Sequence, residues 1–380
     1  MQYHLSEEQG QIRDVITAYL RDRYDHDSRL KIVSSPERWS PTVWNDFAHE
    51  LGILGLGLPE WADGLGGGAV DHMLVMDALG SALVVEPYLE TCVLGAAVLM
   101  RAEGDVARHL LAGIVAGEVR LAIADLEDGP MSPTVPFTSA ARVEGGWRLR
   151  GVKSRVTGLP GATHILVTAR AGDEGDMAVF LLAADHPGVA LVSGPTIDGR
   201  VSSEVRFENI SLSADACLIG GGRGAEVFAE AVDRATAALC GEAVGIMRRL
   251  IADTLAYLEQ RRQFGAFLAD FQVLQHRLAD MQVEYEHAQA MAFFAAGMAD
   301  AEPERRRPAV AASKARISRA LRHVAQEAVQ MHGAMGMTDE LAIGHLFRRA
   351  TVLENQYGSI DRHMKAVVKA GSDTAGWAAD

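Results

Sequence analysis
Apolar residues recur every three or four positions along most of the chain, and the exceptions fall into one central block. Over residues 6–30, Ile12, Val15, Ile16, Tyr19 and Leu20 line one face behind the opening Ser6-Glu7-Glu8, which predicts an amphipathic helix. Further helices are expected over residues 41–50, 71–83 and 89–116, the last two rich in Ala, Leu, Met and Val. At about Arg120 the period changes. Short alternating or β-branched runs follow to residue 209, namely RVEGGWRLRGVK, THILVTARA, DMAVFLLAA, GVALVS and SSEVRFENI, separated by turn residues. Gly145-Gly146 predicts a hairpin that sets Arg142-Val143 against Trp147-Arg148. From about Gly224 the helical period returns over residues 225–259, 271–299 and 308–331. Met281, Met291 and Met298 read as core of these long helices, and the charged run 302–307 reads as a solvated loop.

The pattern divides the chain into helical residues 1–120, a β segment at 121–223 and helical residues 224–380. At 380 residues with 48% apolar content, two or three cores can be filled. A balance of 36 basic against 50 acidic residues gives −14, which argues against non-specific binding to nucleic acid or to an anionic membrane. No uncharged apolar run is long enough to span a bilayer, and the polar, acidic start MQYHLSEEQG does not read as a signal peptide, so a cytoplasmic protein is expected. Cys92, Cys217 and Cys240 lie far apart in apolar or small-residue settings and read as buried thiols, with no metal spacing. The cluster at residues 64–68 ends one element and starts another. No Gly-Lys-Ser/Thr follows it, so it does not read as a phosphate loop.

The chemically richest stretch is QRRQFGAFLADFQVLQHRLADM, residues 260–281. Leu268, Phe271, Leu274, Leu278 and Met281 hold helical spacing, while Arg261, Gln263, Gln272, Gln275 and His276 leave donors beside that stripe. Such a helix-turn-helix through Phe264-Gly265 suits a pyrophosphate or amide clamp, since Arg matches phosphate geometry bidentately. The same residues could also merely cap and solvate a pair of core helices. Arg-x-Gln-Phe-Gly, six residues, Gln, then Gln-His-x-Leu-Ala-Asp-Met resembles the FAD signature of the acyl-CoA dehydrogenases. In that family it contacts the adenine dinucleotide half of FAD across a subunit interface.

The resemblance extends along the chain. Pro59-Glu60 through Gly67 is similar to the family's loop between N-terminal helices. In WRLRGVKSRVTG, Val156 and Thr157 fall on the positions that reach the flavin ring, where Thr157 would offer a donor to developing hydride charge. AVQMHGAMG resembles the Gln-x-x-Gly turn that holds the FAD pyrophosphate of the neighbouring subunit, which puts Gln330 and Gly333 on the cofactor. His332 beside them reads as structural. Two departures stand out: Arg155 replaces an aromatic before Val156, and IADLEDGPMS, residues 123–132, keeps little of the family's flavin and CoA loop, which residues 125–132 would form. The resemblance implies an α+β multidomain fold with an N-terminal helical domain, a central antiparallel β domain and a C-terminal four-helix bundle that binds FAD and oligomerises as a dimer or tetramer. It implies α,β-desaturation of an acyl-CoA, with electron-transfer flavoprotein as acceptor.

That reaction needs a carboxylate base at the substrate α-carbon. On the family's Glu-Gly-Thr segment this chain carries Tyr357-Gly358-Ser359, and on the alternative helical site it carries Thr236. Tyrosine ionises far above neutrality and threonine is no base. The remaining candidates are Glu242, Asp233, Glu354 and Asp361. Glu242, in the apolar run ALCGEAVG, is either a relocated base or half of a helix-packing ion pair with an Arg. The Tyr-Gly-Ser-x-Asp-x-His ending, the ALCGEAVG helix and the Leu-Ser-Glu-Glu-Gln opening resemble small subunits of bacterial two-chain members, such as the pimeloyl-CoA type and those for steroid side chains. In such heteromers one partner supplies the base. The alternative is a catalytically silent subunit that binds FAD or supports a partner's structure.

Overall fold
The computed structural model describes residues 5–128, 135–172 and 175–374. Among them, Ser6 caps the first helix, α1 (Glu7–Arg23), through a reciprocal capping box with Gln9. The predicted 6–30 helix is two helices, because the chain leaves helical geometry at Tyr24 and restarts as α2 (His26–Ser34). Pro41 at the first turn and Ser40 as cap start α3 (Pro41–His49). Then come α4 (Ala69–Ala82), a π-turn over Leu89–Gly95, α5 (Ala96–Arg101) and α6 (Asp105–Val115). The 89–116 helix is thus broken once, at residues 102–104, after a π-turn that runs directly into α5. Gly104, at φ +96, takes a conformation that ends one helical run before Asp105 begins the next.

The β segment runs β1 (Leu121–Ala124), β2 (Ser139–Val143), β3 (Gly146–Val156), β4 (His164–Ala171), β5 (Asp176–Ala183), β6 (Val189–Pro195), β7 (Val201–Ser213) and β8 (Cys217–Ile219). Its order is β6-β7-β3-β2-β4-β5-β8, with β1 also on β4. The hairpin pairs Arg142 with Trp147 across a two-residue turn in which Gly145 has φ +79. The sheet is antiparallel except at β4, which takes β1 and β2 in parallel at its two ends. Alternation could not reveal this, because β1 and β4 are buried on both faces and read as continuous apolar runs. Leu149, Ile165, Val167, Phe180, Val205 and Phe207 form the core of this region.

The remaining elements are α7 (Gly224–Gln260), the ribbon β9 (Arg262–Gln263) and β10 (Ala266–Phe267), α8 (Gln272–Gly297), α9 (Pro303–His332), α10 (Ala342–Asn355) and α11 (Ile360–Thr374). The charged run at 302–307 is not a loop. Pro303 occupies the first turn of α9 and Arg306 is buried, donating from Nη1 to Ala301 O at 3.0 Å. Met281 is fully buried, whereas Met291 and Met298 are half-buried. By contact density the chain forms two compact units, one of residues 1–30, 69–84 and 236–380, the other of residues 31–68 and 85–235. No helix among the described residues is long and apolar enough to cross a membrane.

Within the first unit α4 and α7 touch backbone to backbone. A Cβ on Gly241 would overlap Met73 O, one on Gly245 would overlap Asp77 O, and one on Gly80 would overlap Glu242 O. The Gly-x-x-x-Gly spacing of Gly241 and Gly245 puts both on one face of α7, which is why that face can approach so closely. Gly245→Ala is expected to lower unfolding free energy by about 1–3 kcal/mol through overpacking. Urea titration checks this; an unchanged midpoint would show that the crossing has slack.

Candidate functional site
The 260–281 stretch folds at the end of α7 as a tight ribbon. Phe264 and Gly265 both have positive φ, +54 and +83, the geometry of a hairpin turn whose first position normally disfavours an aromatic. The turn leaves the Phe264 ring 92% exposed. Its edge meets Phe271 at 6.3 Å, and the Arg262 guanidinium lies 4.5 Å over the Phe267 ring. Arg261, Gln263 and Gln272 are exposed around it. Leu268 N donates to Arg261 O at 2.8 Å, and Gln275 Nε2 donates to Ala269 O at 2.8 Å, so the ribbon is held to α8 by backbone acceptors.

The second donor set lies at the end of α9. Gln330 and Gly333 are exposed, Gly333 has φ +59, and no atom lies within 4 Å of a Cβ placed there. His332 is buried; it hydrogen-bonds Ala328 O through Nδ1 at 2.8 Å, and burial lowers its pKa. It stacks on Tyr257 of α7 at 4.3 Å, which ties the end of α9 to the last turn before Arg261. Its role is to bring the two donor sets to neighbouring helix ends.

In the other unit, β3 ends at Val156, which is buried, while Thr157 is half-buried and its carbonyl accepts from Ile123 N at 3.2 Å. Arg155 before them is exposed, with φ +54 in a register shift of the β3–β7 pairing. Of the residues 125–132 expected as a flavin and CoA loop, 129–132 lie outside the described residues. Glu127 of that segment accepts from Lys153 Nζ at 2.7 Å and from Thr138 N at 2.9 Å. Lys153 is fully buried and also donates to Thr168 Oγ1 at 3.1 Å; desolvation lowers its pKa despite the Glu127 carboxylate.

Glu242 is paired. Arg349 of α10 donates from Nε to Oε1 at 2.6 Å and from Nη2 to Oε2 at 2.9 Å, a bidentate fork between side chains 1% and 3% exposed. Thr236 on the same helix is buried. Tyr357 follows α10 in the left-handed region, φ +58, with Gly358 at φ +127 and the His363 ring 2.9 Å from where a Cβ of Gly358 would sit. The Ser359 hydroxyl accepts weakly from Arg362 N at 3.4 Å, opening α11. Glu354 accepts from Arg322, and Asp361 is exposed. Lys314 is buried and donates to Leu353 O at 2.6 Å and to Ser318 Oγ at 3.0 Å, which caps α10; burial pulls its pKa down to about 8.

Two family models match the chain: "Acyl-CoA dehydrogenase, N-terminal domain" over residues 6–118 and "Acyl-CoA dehydrogenase, C-terminal domain" over residues 222–371. The chain belongs to the acyl-CoA dehydrogenase family. It is 28% identical over 363 residues to acyl-CoA dehydrogenase FadE12 of Mycobacterium tuberculosis, covering 91% of each chain. It is 26% identical over 320 residues to the human mitochondrial short-chain specific acyl-CoA dehydrogenase, covering 81% of this chain and 77% of that one. In fold it is similar to a chain of the ChsE4-ChsE5 complex from Mycobacterium tuberculosis, with TM-score 0.89, 24% identity and coverage of 99% and 100%. A family of acyl-CoA dehydrogenases thus contains this chain with Tyr357 and Thr236 where a base was sought. Sequence reading missed Lys314, Arg349 as the Glu242 partner, and the Lys153–Glu127 pair. Lys314, after the small-residue run AVAAS, offered the one available signal, since Arg349, Lys153 and Glu127 each stand near other charges in the sequence.

Two expectations follow from these charges. Removing one member of the Glu242–Arg349 pair, as in Arg349→Leu, should cost about 3–5 kcal/mol, and Glu242→Leu with Arg349→Leu should recover most of it. Chemical denaturation of the two variants decides; equal losses in the single and double variants would refute the coupling. The second concerns His345 and His363, whose pKa values are both lowered to about 4 from 6.5, mainly by burial and then by Arg348 and Arg29 for His345 and by Lys314 and Arg362 for His363. Both are neutral in the fold, whereas the unfolded chain takes up their protons below 6.5. Their contribution is complete above pH 6.5 and is lost as pH falls toward 4. The melting temperature should therefore drop between pH 7 and pH 5, and His345→Gln should shrink that drop.

Proposed function
We propose that this chain is an FAD-binding acyl-CoA dehydrogenase subunit that works in a heteromer, with the α-carbon base supplied by the partner. The observation that carries this reading is the engagement of Glu242 by Arg349: both carboxylate oxygens serve a buried fork, so the conspicuous carboxylate is a structural partner. Tyr357 and Thr236 offer no carboxylate at the positions where the resemblance puts one. The donor set meanwhile suits a dinucleotide. Arg261, Gln263, Gln272 and Gln330 are exposed, Gly333 leaves its amide approachable, and Phe264 presents a bare aromatic face.

In this reading FAD supplies the hydride acceptor. Arg261 pairs with the diphosphate, Gln263, Gln272 and Gln330 donate to the dinucleotide, Phe264 packs on it, and the amide of Gly333 closes the anion cradle. These residues act across a subunit boundary, so the exposed Phe264 and the open Gly333 turn are covered in the oligomer. Val156 would pack against the flavin and Thr157 would offer it a donor. Ser359 opens the helix after Tyr357 and supports the cofactor side of that turn. The partner's carboxylate would take the α-proton of the acyl-CoA, and bound FAD would supply the acceptor for the β-hydride, giving the enoyl-CoA, with an electron-transfer flavoprotein as the onward electron acceptor. The degradation of fatty acids or steroid side chains is the metabolic setting that fits, in a cytoplasmic protein. The absence of a carboxylate at positions 236 and 357 equally favours a second reading, a catalytically silent subunit that binds FAD or shapes a partner.

Stopped-flow reduction separates the two. Alone with FAD, the chain should bleach its flavin on acyl-CoA addition about 10²- to 10⁴-fold more slowly than after mixing with a sister chain that carries the Glu. Rapid bleaching by the homo-oligomer would sink the heteromer reading. Failure of saturating FAD to raise the melting temperature of any oligomer containing this chain would leave only the structural role.

A further inference from the structure
The end of β3 is bulged just before Val156 and Thr157. Its pairing with β7 shifts register between Lys153 and Val156, and Arg155 inside that shift sits in the left-handed region at φ +54. Glycine takes that conformation readily, whereas a long side chain there is strained. Such strain persists where the surroundings enforce it, and bulges beside functional sites re-aim a side chain. The surroundings here are firm. Ser154 N donates to Leu126 O at 2.8 Å, Lys153 Nζ to Asp125 O at 3.4 Å and Ile123 N to Thr157 O at 3.2 Å, so residues 123–126 clamp the bulge on both sides. The Arg155 side chain is exposed and makes no hydrogen bond or salt bridge among the described residues. Burial raises the pKa of the Asp125 carboxyl while the charges of Lys153 and Arg155 oppose it, so the Arg155 cation is felt at the start of the 125–132 loop.

We propose that Arg155 sets the potential of the bound flavin, its guanidinium standing beside the ring and favouring the more negative, two-electron-reduced state. The inference rests on the reading that Val156 and Thr157 meet the flavin. Above neutral pH, uptake of two electrons and one proton adds one negative charge to the ring, so a fixed cation alongside stabilises that state over the oxidised one. Arginine stays charged at any working pH, so the effect does not titrate away. The aromatic that the resemblance leads one to expect at this place would shield the ring without adding charge. A strained, clamped backbone that presents an unpaired guanidinium is explained if the charge is wanted there; a solvated surface arginine needs no such bulge. Raised potential makes acceptance of the β-hydride more favourable and shifts the bound substrate and product toward the enoyl-CoA.

The test is an anaerobic reductive titration of the FAD-loaded protein, with whichever subunit co-purifies, against a reference dye above neutral pH. Arg155→Gln and Arg155→Gly should each weaken two-electron reduction about 10- to 100-fold, a fall of about 30–60 mV. Arg155→Lys, which keeps a charge, should hold the potential close to that of wild type. Arg155→Gly should also melt at a higher temperature, because glycine suits the left-handed bulge, so a fall in its potential cannot come from a damaged fold. An unchanged potential in either neutral variant, or a fall in Arg155→Lys as large as in Arg155→Gln, would overturn the proposal. Loss of FAD by both neutral variants would overturn it too, by making Arg155 a residue that binds the cofactor. Failure of wild type to hold FAD would instead overturn the reading beneath it.

Discussion
The ion pair of Glu242 with Arg349 fixes much of what this chain can do. Two charges removed from water must satisfy each other, and the bidentate fork does so with both oxygens engaged. The pair ties the middle of α7 to α10, and α10 in turn carries Tyr357 into its left-handed turn. Lys314 secures the far end of the same helix by donating to its last carbonyls. The segment where the family resemblance seeks a base is therefore positioned by buried cations that belong to the architecture. A carboxylate bound in this way is a brace, and its suspicious setting in the sequence has a mechanical cause.

Much of the fold was legible because the periods are clean. The helix start at Ser6, the Gly145 hairpin and the long helices over residues 225–259 and 271–299 follow from local rules that tertiary packing does not contradict. The errors have equally specific causes. Residues 302–307 read as a solvated loop because a charge run usually is one, but Pro303 starts a helix well and Arg306 finds Ala301 O inside the protein. Residues 89–116 read as one helix because apolar residues resume at helical spacing after a break of only three residues at 102–104, where Gly104 takes φ +96. The parallel pairings of β4 are invisible to alternation because its residues face protein on both sides.

The candidate site was legible where a motif is contiguous and obscure where it is assembled in space. Arg261, Gln263, Phe264 and Gln272 sit within a dozen positions of one another, so spacing alone groups them. Arg349 lies more than a hundred positions from Glu242, and no periodicity connects them. Sequence can flag a buried charge such as Glu242, and only geometry shows what it is paired with.

The contact between α4 and α7 has a consequence for motion. Side chains in an ordinary helix interface can change rotamer and let the helices slide by a fraction of an ångström. Here the touching atoms are carbonyl oxygens and α-carbons at Met73–Gly241, Asp77–Gly245 and Gly80–Glu242, which have no rotamers. The two helices therefore resist sliding as a single strut, and the donor residues of the 262–267 ribbon and the Gly333–Met337 turn stand outside that contact.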